Sequence, residues 1–213
     1  MRLFLLFTFI IFTVKGQILM AEEPEDLKPS DFELVNIKEI IPDIDIELLF
    51  ATKNNIFHEA IYDSSACYLR RGVAERLDRV QKNLKKMGYG LKIWEGYRPY
   101  SATLRLWDKY KDPQFVADPK YGSKHNRGAA VDVTLIDHKG KELSMPSEYC
   151  EFTERANRKY NKGDEMALYH RDILENAMAA EGFIPYRKEW WHFNDKYWES
   201  YPIIKDTTEE KCK

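Results

Sequence analysis

The stretch Gly122–Leu135, GSKHNRGAAVDVTL, constrains the fold of this chain more than any other. From Ala129 to Ile136 the residues alternate and are rich in β-branched side chains, which predicts a strand. Along that strand Ala130, Asp132 and Thr134 point one way, and Val131, Val133 and Leu135 the other. An aspartate set among valines is costly to bury unless a partner or a metal ion compensates its charge. His125 lies too far from Asp132 to share a helix face at one-turn spacing, so it belongs on a loop or strand end that feeds the strand. Gly128, with the small Ala129 and Ala130, lets the backbone approach something closely.

Far downstream stands Glu189-Trp190-Trp191-His192. A catalytic zinc commonly takes three protein ligands and keeps a fourth position open. His125, Asp132 and His192 make such a set, with Glu189 working on the water bound to the ion. Two plainer readings remain open from spacing alone. One is a surface histidine near a turn aspartate. The other is an aromatic core strand with a satisfied core histidine. Trp190–Phe193 reads as strand, in which Glu189 and His192 fall on opposite faces, so a bend or twist is required to bring both to one site. Arg98, fixed behind by Pro99, is either an oxyanion-stabilising group near the zinc or a structural arginine paired with Glu95.

The rest of the chain supplies a scaffold. Residues 1–16, MRLFLLFTFIIFTVKG, place Arg2 before an apolar run from Leu3 to Val14. The run is too short to span a bilayer comfortably and reads as a secretory signal peptide, cut after residue 16 or as late as 21; an uncleaved anchor is the alternative. A flexible acidic leader over 17–30 follows. Two extended runs are expected over Leu34–Ile41 and Ile44–Phe50. A helix is expected over Tyr68–Met87, with Val73, Leu77, Val80 and Leu84 at helical spacing and Gly88 as its stop. A buried strand, Leu91–Trp94, and a helix from about Ser101 to Tyr110 come next. A second amphipathic helix over Asp164–Glu181 leads to paired strands at Phe183–Tyr186 and Trp190–Phe193. The sum predicts one α+β domain over 31–205, a central antiparallel sheet with two to three helices packed on it, and a polar tail over 206–213.

At 44% hydrophobic and 14% aromatic residues the chain can bury a real core. Its net charge of −2 becomes about −4 if Arg2 and Lys15 leave with the signal, which argues against a nucleic-acid or anionic-membrane partner. Three cysteines, Cys67, Cys150 and Cys212, leave at least one unpaired within the chain. Cys67 and Cys150 are the pair open to a disulfide, none has the spacing of a zinc-thiolate site, and a cysteine nucleophile is a formal alternative.

Ser123-x-His125-x-x-Gly128-x-Ala130-x-Asp132 together with Glu189-Trp190-Trp191-His192 resembles the zinc D,D-peptidases, the group of D-alanyl-D-alanine dipeptidases and D,D-carboxypeptidases. The likeness extends to Ala51-Thr52, Asn55, Leu69–Leu77, Leu91–Pro99 and Gly182-Phe183, and covers roughly residues 40 to 195, fitting the dipeptidase branch. It implies one zinc ion held by His125, Asp132 and His192, Glu189 as general base, Arg98 stabilising the oxyanion, and Ser123 holding substrate. The implied reaction is hydrolysis of the D-Ala-D-Ala dipeptide by a metal-activated water, with cleavage of peptidoglycan stem peptides by a D,D-carboxypeptidase or endopeptidase as the alternative. The export signal implies a periplasmic or extracellular place. A zinc-binding module without catalysis is a third reading, against which Glu189 stands.

The sequence departs from the family pattern at three places. Phe50 stands where a tyrosine is usual, Cys150-Glu151 where an aspartate is usual, and a glycine expected near His58 is absent. The first two positions lie near the substrate's amino end, so strict preference for a free dipeptide is left open, with Glu151 a substitute for the missing carboxylate.

Overall fold

Residues 27–205 are described by the structure, a computed structural model. The expected signal segment, most of the leader and the 206–213 tail with Cys212 lie outside the described residues. In chain order the elements are β1 (Leu34–Asn36), α1 (Ile37–Ile40), β2 (Asp45–Ile46), β3 (Tyr68–Arg70), α2 (Arg71–Lys86), β4 (Tyr89–Glu95), α3 (Tyr100–Lys109), β5 (Ala130–Asp137), α4 (Glu165–Ala180), β6 (Phe183–Pro185) and β7 (His192–Asp195).

Five strands form the central sheet in the order β2-β4-β5-β7-β6. Pairings β4–β5, β5–β7 and β6–β7 are antiparallel. Edge strand β2 runs parallel to β4, because the chain crosses from one to the other through α2, and a crossover returns a strand in the same direction. The expected α+β class therefore holds with a mixed rather than wholly antiparallel sheet. β1 and β3 pair separately as a small two-stranded sheet.

Both faces of β5 are covered, which is why Ala130–Ile136 are buried without exception. One face meets α2 and α4: Val131, Val133 and Leu135 share the main core with Val73, Leu77, Val80 and Leu84 of α2 and Ile173, Leu174 and Met178 of α4. The opposite face carries Ala130, Asp132 and Thr134. A second apolar cluster builds up around Ala102 and Leu106 of α3 with Phe50, Ile61, Val116 and Cys150. Of the longer helices, α2 and α4 thus pack on the sheet, and α3 stands in the wall of the cleft that holds the site. No helix among the described residues is long and apolar enough to cross a membrane.

Local chemistry explains where the element boundaries moved. The run expected to stay extended over Leu34–Ile41 turns at Asn36, whose side chain accepts from the Lys38 amide at 3.1 Å and starts a short helix. Of Ile44–Phe50 only Asp45–Ile46 is strand, and Leu49–Ala51 forms a tight helical turn. Tyr68–Arg70 was expected to be helical but pairs with β1, so α2 begins at Arg71. The helix expected from about Ser101 starts at Tyr100, since Pro99 sets the helix entry. Asp164 does cap α4, accepting from the Ala167 amide at 3.0 Å. Trp190 and Trp191 precede β7, which starts only at His192.

Candidate metal centre and catalytic cleft

Sheet register assembles the site. β5 places Asp132 directly opposite Glu95 of β4 on one side and His192 of β7 on the other. In antiparallel pairs, residues opposite each other project to the same face, so these three side chains form a row. His125 arrives from a tight turn, His125–Arg127, just upstream of β5. Gly128 closes that turn at φ +65°, and a Cβ there would meet Leu34 at 3.0 Å and the Arg70 amide at 3.2 Å. Only glycine satisfies both demands.

Three acceptor atoms converge on one point. His192 Nδ1 lies 2.9 Å from Asp132 Oδ1 and 3.2 Å from His125 Nε2, and His125 Nε2 lies 3.4 Å from Asp132 Oδ1. The outer atom of each group is held by a partner. His125 Nδ1 donates to the Gly96 carbonyl at 2.8 Å, and His192 Nε2 to Asn194 Oδ1 at 2.9 Å. The Tyr149 hydroxyl donates to Asp132 Oδ2 at 2.9 Å. A carbonyl only accepts, so the partners assign the neutral tautomers: each ring proton points outward and each lone pair inward. Two imidazole lone pairs and a carboxylate oxygen then face one another with no proton between them. That arrangement repels itself unless a cation sits among the three, and it fits zinc, whose ~2 Å bonds to N and O suit these spacings. Outer partners that fix the ligand rings in this way are a regular feature of zinc sites.

Electrostatics agree with the geometry. Burial alone would push the Asp132 carboxyl up, but His125 and His192 hold it far below the usual carboxylate range. Burial lowers the His192 pKa, against the pull of Asp132, so the ring is neutral and ready to bind metal at neutral pH. Burial and the Asp132 charge keep the Tyr149 hydroxyl protonated as a donor.

Glu189 reaches the same place by a turn. Its amide points to the Tyr186 carbonyl and the His192 amide points to the Glu189 carbonyl. The chain is still bending at Glu189 and becomes strand at His192, so both side chains face the cleft. Glu189 Oε2 stands 3.9 Å from His192 Nδ1, beside the ligand set. Burial and Asp132 push its pKa well up, with Arg98 pulling the other way. Arg98 is paired with Glu95, as one of its two readings expected, and stands at the cleft. Its Nε donates to Glu95 Oε1 at 2.8 Å and its Nη2 to the other Glu95 oxygen, while its guanidinium also lines the cleft. Ser123 lines the cleft too, and its Oγ accepts the His125 amide at 3.2 Å.

His125, Asp132, His192, Glu189, Arg98 and Ser123 line a cavity of about 480 Å³. Part of its lining is aromatic, with Phe50, Phe57, Phe115 and Phe152. Phe50 and Cys150 both face this space, at the departures from the family pattern, whereas Glu151 does not line it. The Glu151 carboxylate instead accepts from Thr153 Oγ1 at 2.8 Å and the Glu148 amide at 3.2 Å, so it does not stand in for the missing aspartate. His58, near which a glycine was expected, adopts φ +55°, a conformation that glycine would take more easily. Cys67 and Cys150 are both free and belong to different apolar clusters. Burial, then Glu189 and Asp132, keep the Cys150 thiol un-ionised, which disfavours a cysteine nucleophile.

Spacing in the chain did not point to Tyr149, Asn194 or the Gly96 carbonyl as partners of the ligands. Asn194 is the one with a local signal, two residues beyond His192 on the same strand face.

Known proteins resemble the chain along most of its length. The profile of the family described as D-ala-D-ala dipeptidase matches residues 30–203. The D-alanyl-D-alanine dipeptidase of Escherichia coli K12 is 36% identical over 174 residues, covering 82% of this chain and 90% of that protein. The enzyme of the same description from Streptomyces coelicolor is 28% identical over 187 residues, covering 78% and 92%. That of Enterococcus faecalis is 27% identical over 165 residues, covering 68% and 82%.

Proposed function

This chain belongs to the D-ala-D-ala dipeptidase family and is a zinc metallopeptidase, and from that membership we propose that it hydrolyses the D-Ala-D-Ala dipeptide at the cleft built around His125, Asp132 and His192. The observation that carries the reading is the convergence of three unprotonated acceptors within 3.4 Å of one another. A zinc ion held by them supplies a Lewis acid that polarises the scissile carbonyl and acidifies water.

The chain's own groups do the remaining work. Glu189 takes the proton from the attacking water on its carboxylate and delivers it to the leaving amine. Arg98, kept rigid by Glu95, offers its guanidinium to the carbonyl oxygen as that oxygen gains negative charge. Ser123 Oγ, whose lone pair is engaged by the His125 amide, keeps its hydroxyl proton for the substrate. Tyr149 holds the outer oxygen of Asp132 so that Oδ1 stays turned toward the ion. Removing that hydroxyl with Y149F is expected to weaken zinc about tenfold, read by competition with a chromogenic chelator, with little change in fold.

Amine release from D-Ala-D-Ala by the purified protein tests the reading directly. Activity should vanish on chelation and return with zinc, and L-Ala-L-Ala should be poorly cut. A second reading, a D,D-carboxypeptidase on peptidoglycan stem peptides, is favoured by one feature. Phe50 and Cys150, both lining the cleft, bring neither the hydroxyl nor the carboxylate of the family pattern to a free ammonium. If an N-acylated peptide ending in D-Ala-D-Ala is cut faster than the free dipeptide, the second reading replaces the first. Export to the periplasm or beyond belongs to the same proposal, on the strength of Arg2 and the apolar run Leu3–Val14, and would bring the enzyme to wall-derived peptides.

A further inference from the structure

The loop Arg187–Trp191 carries Glu189 and delivers the chain to His192, yet it has no ladder of its own. At its base the Tyr186 amide donates to the His192 carbonyl at 3.0 Å. Two longer bonds lie within the loop, from the Glu189 amide to the Tyr186 carbonyl at 3.4 Å and from the His192 amide to the Glu189 carbonyl at 3.3 Å, and β5 holds its end through the Val133 amide and the Trp191 carbonyl at 3.0 Å. A neighbouring segment adds further ties. Ala156 accepts the Trp190 amide at 2.9 Å, and the Arg158 amide donates to the Arg187 carbonyl at 3.1 Å. The Arg158 side chain then reaches under the loop. Its Nε donates to the Tyr186 carbonyl at 2.8 Å and its Nη2 to the His192 carbonyl at 2.8 Å, so one edge of the guanidinium grips both ends.

That guanidinium is well buried, with its side chain 6% exposed. It lies 4.2 Å from the Phe193 ring centre, and Nη1 donates to Glu175 of α4 at 3.1 Å. Burial draws its pKa down to about 10, against the pull of Glu175, so it stays charged at neutral pH. Even with Glu175 as its ion-pair partner, a buried charge that directs two of its donors to backbone carbonyls is a weak device for general stability alone. Its placement makes sense if the separation of those carbonyls matters. An ammonium is a point donor and lacks the planar fork that spans them.

We propose that Arg158 is a positioning residue for the catalytic turn: by fixing Tyr186 and His192 together it sets the spacing between the Glu189 carboxylate and the ligand ring of His192. It touches neither substrate nor metal and acts through the loop it clamps. This rests on the zinc-peptidase reading above.

R158K and R158M test it. R158K keeps the stem and the charge, so it carries the test should R158M fail to fold. The expected result for folded R158K is a zinc affinity about tenfold weaker by chelator competition, with kcat reduced and KM for D-Ala-D-Ala unchanged. The rise in Tm that zinc confers should shrink relative to wild type, which a purely structural arginine would leave intact. Folded R158K with wild-type zinc affinity and an unchanged zinc-dependent Tm rise overturns the clamp. Wild-type protein that binds zinc but cuts no D,D-peptide overturns the proposed function instead, while the zinc measurements still decide the role of Arg158.

Discussion

Glu189→Gln is expected to lower kcat about 10³-fold and to leave zinc in place. The carboxylate stands 3.9 Å from His192 Nδ1, beside the ligand set rather than within it, so an amide of the same size should not disturb the metal. What it cannot do is accept a proton from water. The outcome separates three assignments. Loss of activity with zinc retained identifies the base. Loss of both would make Glu189 a ligand. Full activity with zinc bound would remove it from the reaction. The pH profile gives a second check with a fixed sign. A base works deprotonated, so wild-type activity should fall as pH drops through the Glu189 pKa. Burial and the neighbouring Asp132 raise that pKa, so the acid limb should lie above the value of about 4.3 for an ordinary glutamate. Arg98 and a bound cation draw it back down. In Glu189→Gln the residual rate should lose that limb.

The proposed zinc ligands were legible because their chemistry conflicts with their surroundings. Asp132 among Val131 and Val133 is an expensive residue in a core strand, and a local conflict of that kind marks a functional position. The aspartate's face on the strand followed from period two alone. Glu189 and His192 were harder, since a strand over Trp190–Phe193 separates them. The conflict was visible in the sequence, and its resolution lay in tertiary contacts that delay the strand until His192. Arg98 left two readings open; the structure bears out its pairing with Glu95 and places the same residue at the cleft, where the proposed oxyanion role requires it.

What stayed hidden was long-range. Tyr149 meets Asp132 across a polar, irregular segment, and the Gly96 carbonyl meets His125 from the end of another strand. A backbone carbonyl leaves no mark in composition, and a tyrosine in a loop carries no periodic signal. The same holds for Arg158, one of 33 lysines and arginines in the chain, whose role depends on which carbonyls it reaches. The parallel direction of edge strand β2 was missed for a related reason: Asp45–Ile46, inside the extended run expected over Ile44–Phe50, is too short for its direction to be read from pattern. Side-chain chemistry therefore marked the centre of the site, and backbone geometry, which the sequence encodes only globally, supplied its frame.

His192→Ala is expected to weaken zinc binding by about 10²-fold and to abolish turnover at limiting zinc. The magnitude follows from tetrahedral sites, where about 10–16 kcal/mol of binding is shared among four ligands. About 3 kcal/mol per ligand corresponds to about two decades in affinity. The fold should survive, because β7 keeps Phe193 and Asn194 in their pairings with β5 and β6. Asp132→Asn is the sharper companion. It preserves size and leaves an oxygen for the Tyr149 hydroxyl, but removes the one negative charge that offsets the cation among the ligands. Zinc should weaken there as well, although both imidazoles remain. The pH dependence gives an independent measure. The ligand atoms are unprotonated at neutral pH, with the His192 pKa lowered by burial, and acid must protonate them to expel the ion, so zinc affinity should fall as pH drops. Zinc affinity independent of pH in the wild type, or zinc binding unchanged in His192→Ala, would mean that the two histidines and the aspartate do not share one ion.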